Sequence, residues 1–171
     1  MATALGASQV IGTTRSPDKR ALLIELGADT VIVTSEQDLT AATLAATEGI
    51  GAEVVLDHVA GDTFAQCLPA TAEDGHIVNI GRLAGPISRI DIDALSYRHL
   101  HVEGVSFGFT RTEEMAAIIS GLLPEVIPAV ARGEIRPVID ETRPWTEHDR
   151  ALARLNSGEA VGKIVLTLTE V

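Results

Sequence analysis

The sequence predicts an α/β fold, a doubly wound parallel sheet covered by helices on both faces. Three observations carry that expectation. Runs dense in Val, Ile and Leu, such as DTVIVT (29–34) and AEVVLDHVAG (52–61), alternate with segments of helical pattern. Those segments close on glycines such as Gly27 and Gly49. Apolar residues make up 46% of the 171 positions and aromatics only 3%. Strands buried on both faces need continuous aliphatic character, and a parallel sheet needs a helical crossover between successive strands. A chain of this length fills one ordinary domain and can bury a real core.

The elements follow in order. MATALGA (1–7) is helix-forming and stops at Gly6. QVIGTT (9–14) is strand-like. SPDKRALLIELG (16–27) then opens a helix, with Ser16 as N-cap and Pro17 in its first turn. The alternation continues through strand 29–34, helix 35–49, strand 52–61, helix 62–75 and strand 76–81. A looser stretch (82–99) leads to the strand LHVEGVSFG (100–108), and 111–133 reads as one long helix disturbed at Pro124 and Pro128. Beyond it the pattern changes. Residues 134–145 predict a strand whose Pro137 suits a sheet edge, 146–158 a charged helix with Thr146 as N-cap, and 162–168 a final strand. Residues 1–135 are therefore taken as one domain and 136–171 as a C-terminal annex.

Composition excludes several classes of function. A net charge of −11, from 24 acidic and 13 basic residues, disfavours a nucleic-acid partner, whose phosphates need clustered Lys and Arg. The lone Cys67 forms no intramolecular disulfide and reads as a small buried hydrophobe. No apolar run is long enough to span a membrane, and a cytoplasmic protein is expected. The five histidines are scattered, so no metal site is expected, although His99 and His101 could share one strand face. The acidic Asp91–Asp93 reads as a solvated turn, and no nucleophile elbow or Walker loop is present.

Ligands of such sheets bind beyond the carboxyl ends of the strands. There the sequence places Thr13, Thr14 and Arg15, then Asp57–Gly61, then Gly81 and Arg82, then Phe107, Gly108 and Phe109. Ser16 and Lys19 extend the first group. A cationic, hydroxyl-rich corner at this point suits a phosphate, while solvated surface charge and a simple helix cap remain the alternative.

The ordered blocks ALGASQVIGTTRSPDKRALLIELGAD, GAEVVLDHVAGDTFAQCLPATAEDGHIVNIGRLAG and EAVGKIVLTL resemble the cofactor-binding half of the medium-chain dehydrogenase/reductase superfamily, in its zinc-independent quinone oxidoreductase branch. The resemblance implies a Rossmann-like sheet. It also implies an NADP(H) site, with Thr13, Thr14, Arg15, Ser16 and Lys19 at the adenosine 2′-phosphate. Asp57, Val59, Ala60 and Gly61 fall in the loop after the next strand, where small residues let the backbone approach the cofactor. Asn79, Ile80 and Gly81 fall beside the nicotinamide ribose, and Phe107, Gly108 and Phe109 near its ring. Three alternatives stay open: Gly61 as the mere start of a turn, Asp57 as a cap of the next helix, and Phe107 as part of the core. No residue is assigned a catalytic role.

By the same resemblance, the first strand and glycine-rich phosphate loop of the family fold are expected to be absent, and cofactor affinity and turnover by this chain alone to suffer. The strands flanking that position would then lack a partner. Three repairs are conceivable: 10–13 pairing directly with 54–57, KIVLTL filling the gap, or a second chain supplying a strand. An annex left uncovered around Trp145 implies a homodimer or larger assembly. The chain could equally be one portion of a longer protein. Two functions are thus expected as alternatives: NADPH-dependent reduction of a quinone or enone-like substrate, or a non-catalytic module for oligomerisation or partner binding.

Overall fold

In the computed structural model, which describes residues 1–168, the aliphatic runs become short parallel strands. The last three residues of the expected annex lie outside the described residues. Two compact units are present: Ala2 with Gly6–Gly121, and Met1, Thr3–Leu5 and the residues from Leu122 onward.

In the larger unit, β1 (Ile11–Thr14) pairs with β2 (Thr30–Val33), from Ile11 opposite Thr30 to Thr14 opposite Val33. Between them a 3-10 turn (Pro17–Lys19) leads into α1 (Arg20–Glu25). After β2 comes α2 (Leu39–Ala46), capped by the Asp38 carboxylate, which accepts from the Ala41 amide at 2.8 Å. A second parallel sheet follows, in the order β3 (Ala52–Asp57), β4 (Thr71–Asn79), β5 (His101–Gly104). Helices α3 (Gly61–Ala70) and α4 (Ile92–Tyr97) form its crossovers.

No ladder joins β1 to β3 among the described residues. Neither intrachain repair of the gap is therefore realised: 10–13 do not pair with 54–57, and KIVLTL is not inserted between them. Side chains make the connection instead. Ile32, Leu39, Cys67, Leu68 and Ile77 form one buried cluster, against which Ile11, Val55 and Phe64 pack. Wholly buried Ile32, Leu68 and Ile77 contribute about 1.5–3 kcal/mol each. Val54 and Leu56 of β3 remain 60% exposed on the other face.

Several local expectations change. MATALGA yields only a 3-10 turn at Thr3–Leu5. The long helix splits into α5 (Thr112–Leu122) and α6 (Val126–Ala131), because Pro124 has no N–H to donate and disfavours helical geometry at Leu123. Pro128 is tolerated within the first turn of α6, where amides lack intrahelical partners anyway. His99 precedes β5 in a turn, at φ +52, so it shares no strand face with His101. Asp91 is exposed, as expected, but it is the N-cap of α4 rather than part of a turn, accepting from Asp93 N at 2.9 Å and Ala94 N at 3.3 Å.

Besides α6 and the 3-10 turn at Thr3–Leu5, the smaller unit holds a βαβ crossover: β6 (Ile139–Pro144), α7 (His148–Asn156) and β7 (Lys163–Thr167), with β6 and β7 parallel. Pro137 stands outside β6. Thr146 lies within a 3-10 turn (Trp145–Glu147), and Glu147 takes the N-cap position of α7, without a side-chain cap. Arg143 donates to Glu141 at 2.8 Å and to Glu147 at 2.7 Å, holding the Glu141 carboxyl below its ordinary range. Arg154 bridges Asp140 at 3.0 Å and Glu159 at 2.9 Å, fixing the end of α7 over the start of β6.

Candidate functional site

Register aligns three strand ends in a row: Asp57 of β3 is opposite Asn79 of β4, and Asn79 opposite Gly104 of β5. Asp57, 4% exposed, is the hub. One carboxylate oxygen accepts from the Val59 and Ala60 amides, both at 2.9 Å, and the other accepts from the Asn79 side-chain amide at 2.8 Å. Its backbone carbonyl accepts from Ile80 N at 2.7 Å and Gly81 N at 3.1 Å. The carboxylate is thus occupied by its own turn. It does not cap α3, whose N-cap position is Ala60.

The two loops after β3 and β4 meet closely. Ala84 N donates to Val59 O at 2.8 Å, and the Asn79 amide also donates to Gly81 O at 2.9 Å. A Cβ on Gly81 would collide with the His58 carbonyl, so only glycine allows this approach. Ala60 adopts φ +59, ψ −153, a strained backbone for a residue with a side chain, and buried Gly61 follows at φ +57 as the first residue of α3. Gly61 therefore begins the helix, and both residues press the loop against its neighbour.

Beside these loops opens a cleft of about 210 Å³ whose lining includes Ala60, Gly61, Asn79, Arg82, Ser88 and Glu103. The structure thus gathers Asp57, Val59, Ala60, Gly61, Asn79, Ile80 and Gly81 into one constellation. Arg82, which the sequence places beyond a strand end but not among the cofactor contacts, joins it, as do Ser88 and Glu103, which the sequence did not single out. Arg82 and Ser88 lie in a looser sequence segment without periodicity, and Glu103 reads as ordinary strand-edge charge. The Ser88 hydroxyl oxygen is buried without a hydrogen-bond partner.

A second group stands at the end of β1. Thr14 Oγ1 accepts from the Ser16 amide at 3.1 Å and donates to the Ser16 carbonyl at 3.3 Å, a tight local turn. Ser16 offers no side-chain cap to the following turn. Thr13 and Arg15 are exposed, and Ser16 and Lys19 half-buried. Phe107, Gly108 and Phe109 form a short 3-10 turn beyond β5, with Phe107 56% and Phe109 91% exposed, so Phe107 is not core.

Elsewhere in the larger unit, the His76 and His101 rings stack at 4.5 Å, and His76 Nδ1 lies 3.5 Å from Glu103. Among the described residues no three His, Cys, Asp or Glu side chains converge as metal ligands, and no helix is long and apolar enough to cross a membrane. Cys67 is buried on α3, and burial, with Asp57 nearby, pushes its thiol up to about 12.

Comparison with known proteins matches residues 1–121 to the family described as zinc-binding dehydrogenase. Over 167 residues the chain is 31% identical to a quinone oxidoreductase of Pseudomonas aeruginosa, covering 96% of this chain and 50% of that one. Bovine quinone oxidoreductase-like protein 2 is 27% identical, with 98% and 48% covered. The crystal structure of Escherichia coli quinone oxidoreductase complexed with NADPH superposes with a TM-score of 0.78 at 28% identity, covering 96% of this chain and 51% of that one. The chain spans about half the length of the curated relatives it matches.

Proposed function

The chain belongs to the zinc-binding dehydrogenase family, and from that premise we propose that it is the cofactor-binding half of an NADPH-dependent quinone oxidoreductase, reducing a quinone or enone-like carbonyl compound. The observation that carries this reading is the row of strand ends Asp57, Asn79 and Gly104, with small-residue loops folded beside an open cleft. A nicotinamide dinucleotide fits such residues: Gly61 lines the cleft without a side chain, Gly81 lets the two loops close beside it, and Arg15 and Lys19 supply positive charge where a 2′-phosphate is expected. Zinc does not fit, because the described residues offer no ligand set, and no metal step is drawn.

When bound, the cofactor supplies hydride. The chain's own residues bind and orient. Asp57 and Asn79 hold the two loops, Val59–Gly61 and Ile80–Gly81 admit a planar group to the backbone, and Phe107–Phe109 extend an apolar rim. Thr13, Thr14, Arg15, Ser16 and Lys19 choose the phosphorylated cofactor. No side chain is assigned a proton transfer. We place residues 1–135 as the cofactor-carrying part and 136–171 as an annex, acting in the reducing cytoplasm that suits a single buried thiol.

Titration of NADPH and NADH against the purified chain, followed by nicotinamide fluorescence, tests the reading. Micromolar NADPH binding that Arg15→Glu weakens about tenfold, the loss expected for one charge-assisted hydrogen bond, supports it. No detectable binding at millimolar cofactor overturns it.

One observation favours the second reading, an association module. In the smaller unit Trp145, His148, Leu152 and Leu155 recur at helical spacing, and Trp145, Leu152 and Leu155 are 57%, 55% and 57% exposed. A homodimer through this stripe is the partner we propose, checked by light scattering: Leu152→Glu should yield monomer where the parent chain is dimeric.

A further inference from the structure

The cleft beside the strand ends has in its lining one buried hydroxyl to which the protein itself offers no hydrogen-bond partner. Asp57 is consumed by three donors, and both N–H directions of the Asn79 amide are taken by Asp57 and Gly81. Ser88 differs. Its Oγ is buried without a partner, on the segment between β4 and α4 that Ala84 pins to the Val59 carbonyl. A hydroxyl buried in this way is normally paired, so its isolation marks a position awaiting a partner from outside the chain.

The surroundings restrict that partner. Phe64, Pro86 and Val102 give the cleft apolar walls, and its two charged side chains, Arg82 and Glu103, are opposite in sign. A ligand group entering here meets no net charge. The volume, about 210 Å³, is below that of a site enclosing a whole drug-sized molecule, so the cleft takes one end of a longer ligand. A neutral planar group bearing both a donor and an acceptor meets these conditions.

We propose that Ser88 is a specificity-determining residue whose hydroxyl, after rotation about its Cα–Cβ bond, hydrogen-bonds the carboxamide of a nicotinamide ring seated in this cleft. The inference rests on the cofactor reading above and goes beyond it by naming a residue in neither of the strand-end turns. Its role is to hold the ring in one orientation, by a contact that the adenosine end of the same cofactor never makes.

Isothermal titration of the full chain with NADPH and, separately, with 2′,5′-ADP, which lacks the nicotinamide, separates the two claims. Ser88→Ala is expected to weaken NADPH about tenfold and leave 2′,5′-ADP unchanged, whereas Ser88→Thr, which keeps a hydroxyl, restores most of the NADPH affinity. Thermal melts of the unliganded Ser88→Ala chain should be no lower than those of the parent, since an unpaired polar atom has been removed. Unchanged NADPH affinity in Ser88→Ala, or equal weakening of both ligands, overturns the role of Ser88 while the cofactor reading stands. Failure of the parent chain to bind either ligand overturns both.

Discussion

The side-chain amide of Asn79 donates to the carboxylate of Asp57 at 2.8 Å, across the ends of two adjacent parallel strands. Because the same carboxylate receives the Val59 and Ala60 amides, the loops after β3 and β4 are set by one buried acceptor. Their spacing is decided before any ligand arrives.

Asp57→Ala should therefore cost about 2–4 kcal/mol, since three donors lose their acceptor in a buried place, each loss being worth about 1–3 kcal/mol and the losses not additive. Urea unfolding measures it. Asn79→Ala, which leaves the backbone donors paired, should cost less than half as much; equal costs would remove Asp57 from the centre of this arrangement.

Gly81→Ala places a methyl group against the His58 carbonyl. We expect a loss of about 1–3 kcal/mol, the range for overpacking, together with a weaker cofactor complex. Gly12→Ala in β1 serves as the control. Its new Cβ would sit 3.4 Å from Ala28 Cβ, an ordinary contact, and its melting curve should match the parent's.

Ala60 can be probed from both directions. Glycine at this position relieves the positive φ but loses a buried methyl group worth about 0.8 kcal/mol, so Ala60→Gly should be neutral or slightly stabilising. Ala60→Val, branched where φ is +59, should destabilise by about 2 kcal/mol or more. Calorimetry that ranked valine above glycine would contradict the backbone assignment.

Cys67 gives a pH signature. Its thiol is raised from 9.0 to about 12 by burial, with the Asp57 charge adding to the effect. Above pH 9 the unfolded chain releases this proton while the folded chain keeps it. The associated stability is thus fully present below pH 9 and is lost as the pH rises towards about 12. Across that window parent stability should fall more steeply than that of Cys67→Ala, by up to about tenfold per pH unit in the folding constant. Native Cys67 should also resist iodoacetamide at pH 8 until denaturant is added.

The fold was legible wherever burial is continuous. DTVIVT announced β2, three of whose four residues are buried, and the blocks around Asp57 and Asn79 announced β3 and β4, although the sequence carried these strands on to Gly61 and Gly81 and read the start of β4 at Thr71 as helix. Elements decided by local backbone chemistry were harder to read. Asp91 resembles a solvated acid in any string of letters, and only the positions of Asp93 N and Ala94 N make it a cap. His99 and His101 alternate like strand neighbours, yet a left-handed turn at His99 starts the strand later. At the site, Gly61 and Gly81 stood out because glycine at a strand end has few other uses. Ser88 could not stand out, since what distinguishes it is a missing hydrogen-bond partner, a property of three-dimensional surroundings.

The sheet of β1 and β2 and the sheet of β3, β4 and β5 share no ladder, yet Ile11, Ile32, Val55 and Ile77 meet in a single cluster. Main-chain continuity and melting cooperativity are therefore carried by different atoms. Heating should produce one calorimetric transition for this unit, while amide exchange in β1 and β3, each paired on one side only, proceeds faster than in β4, a strand protected on either flank.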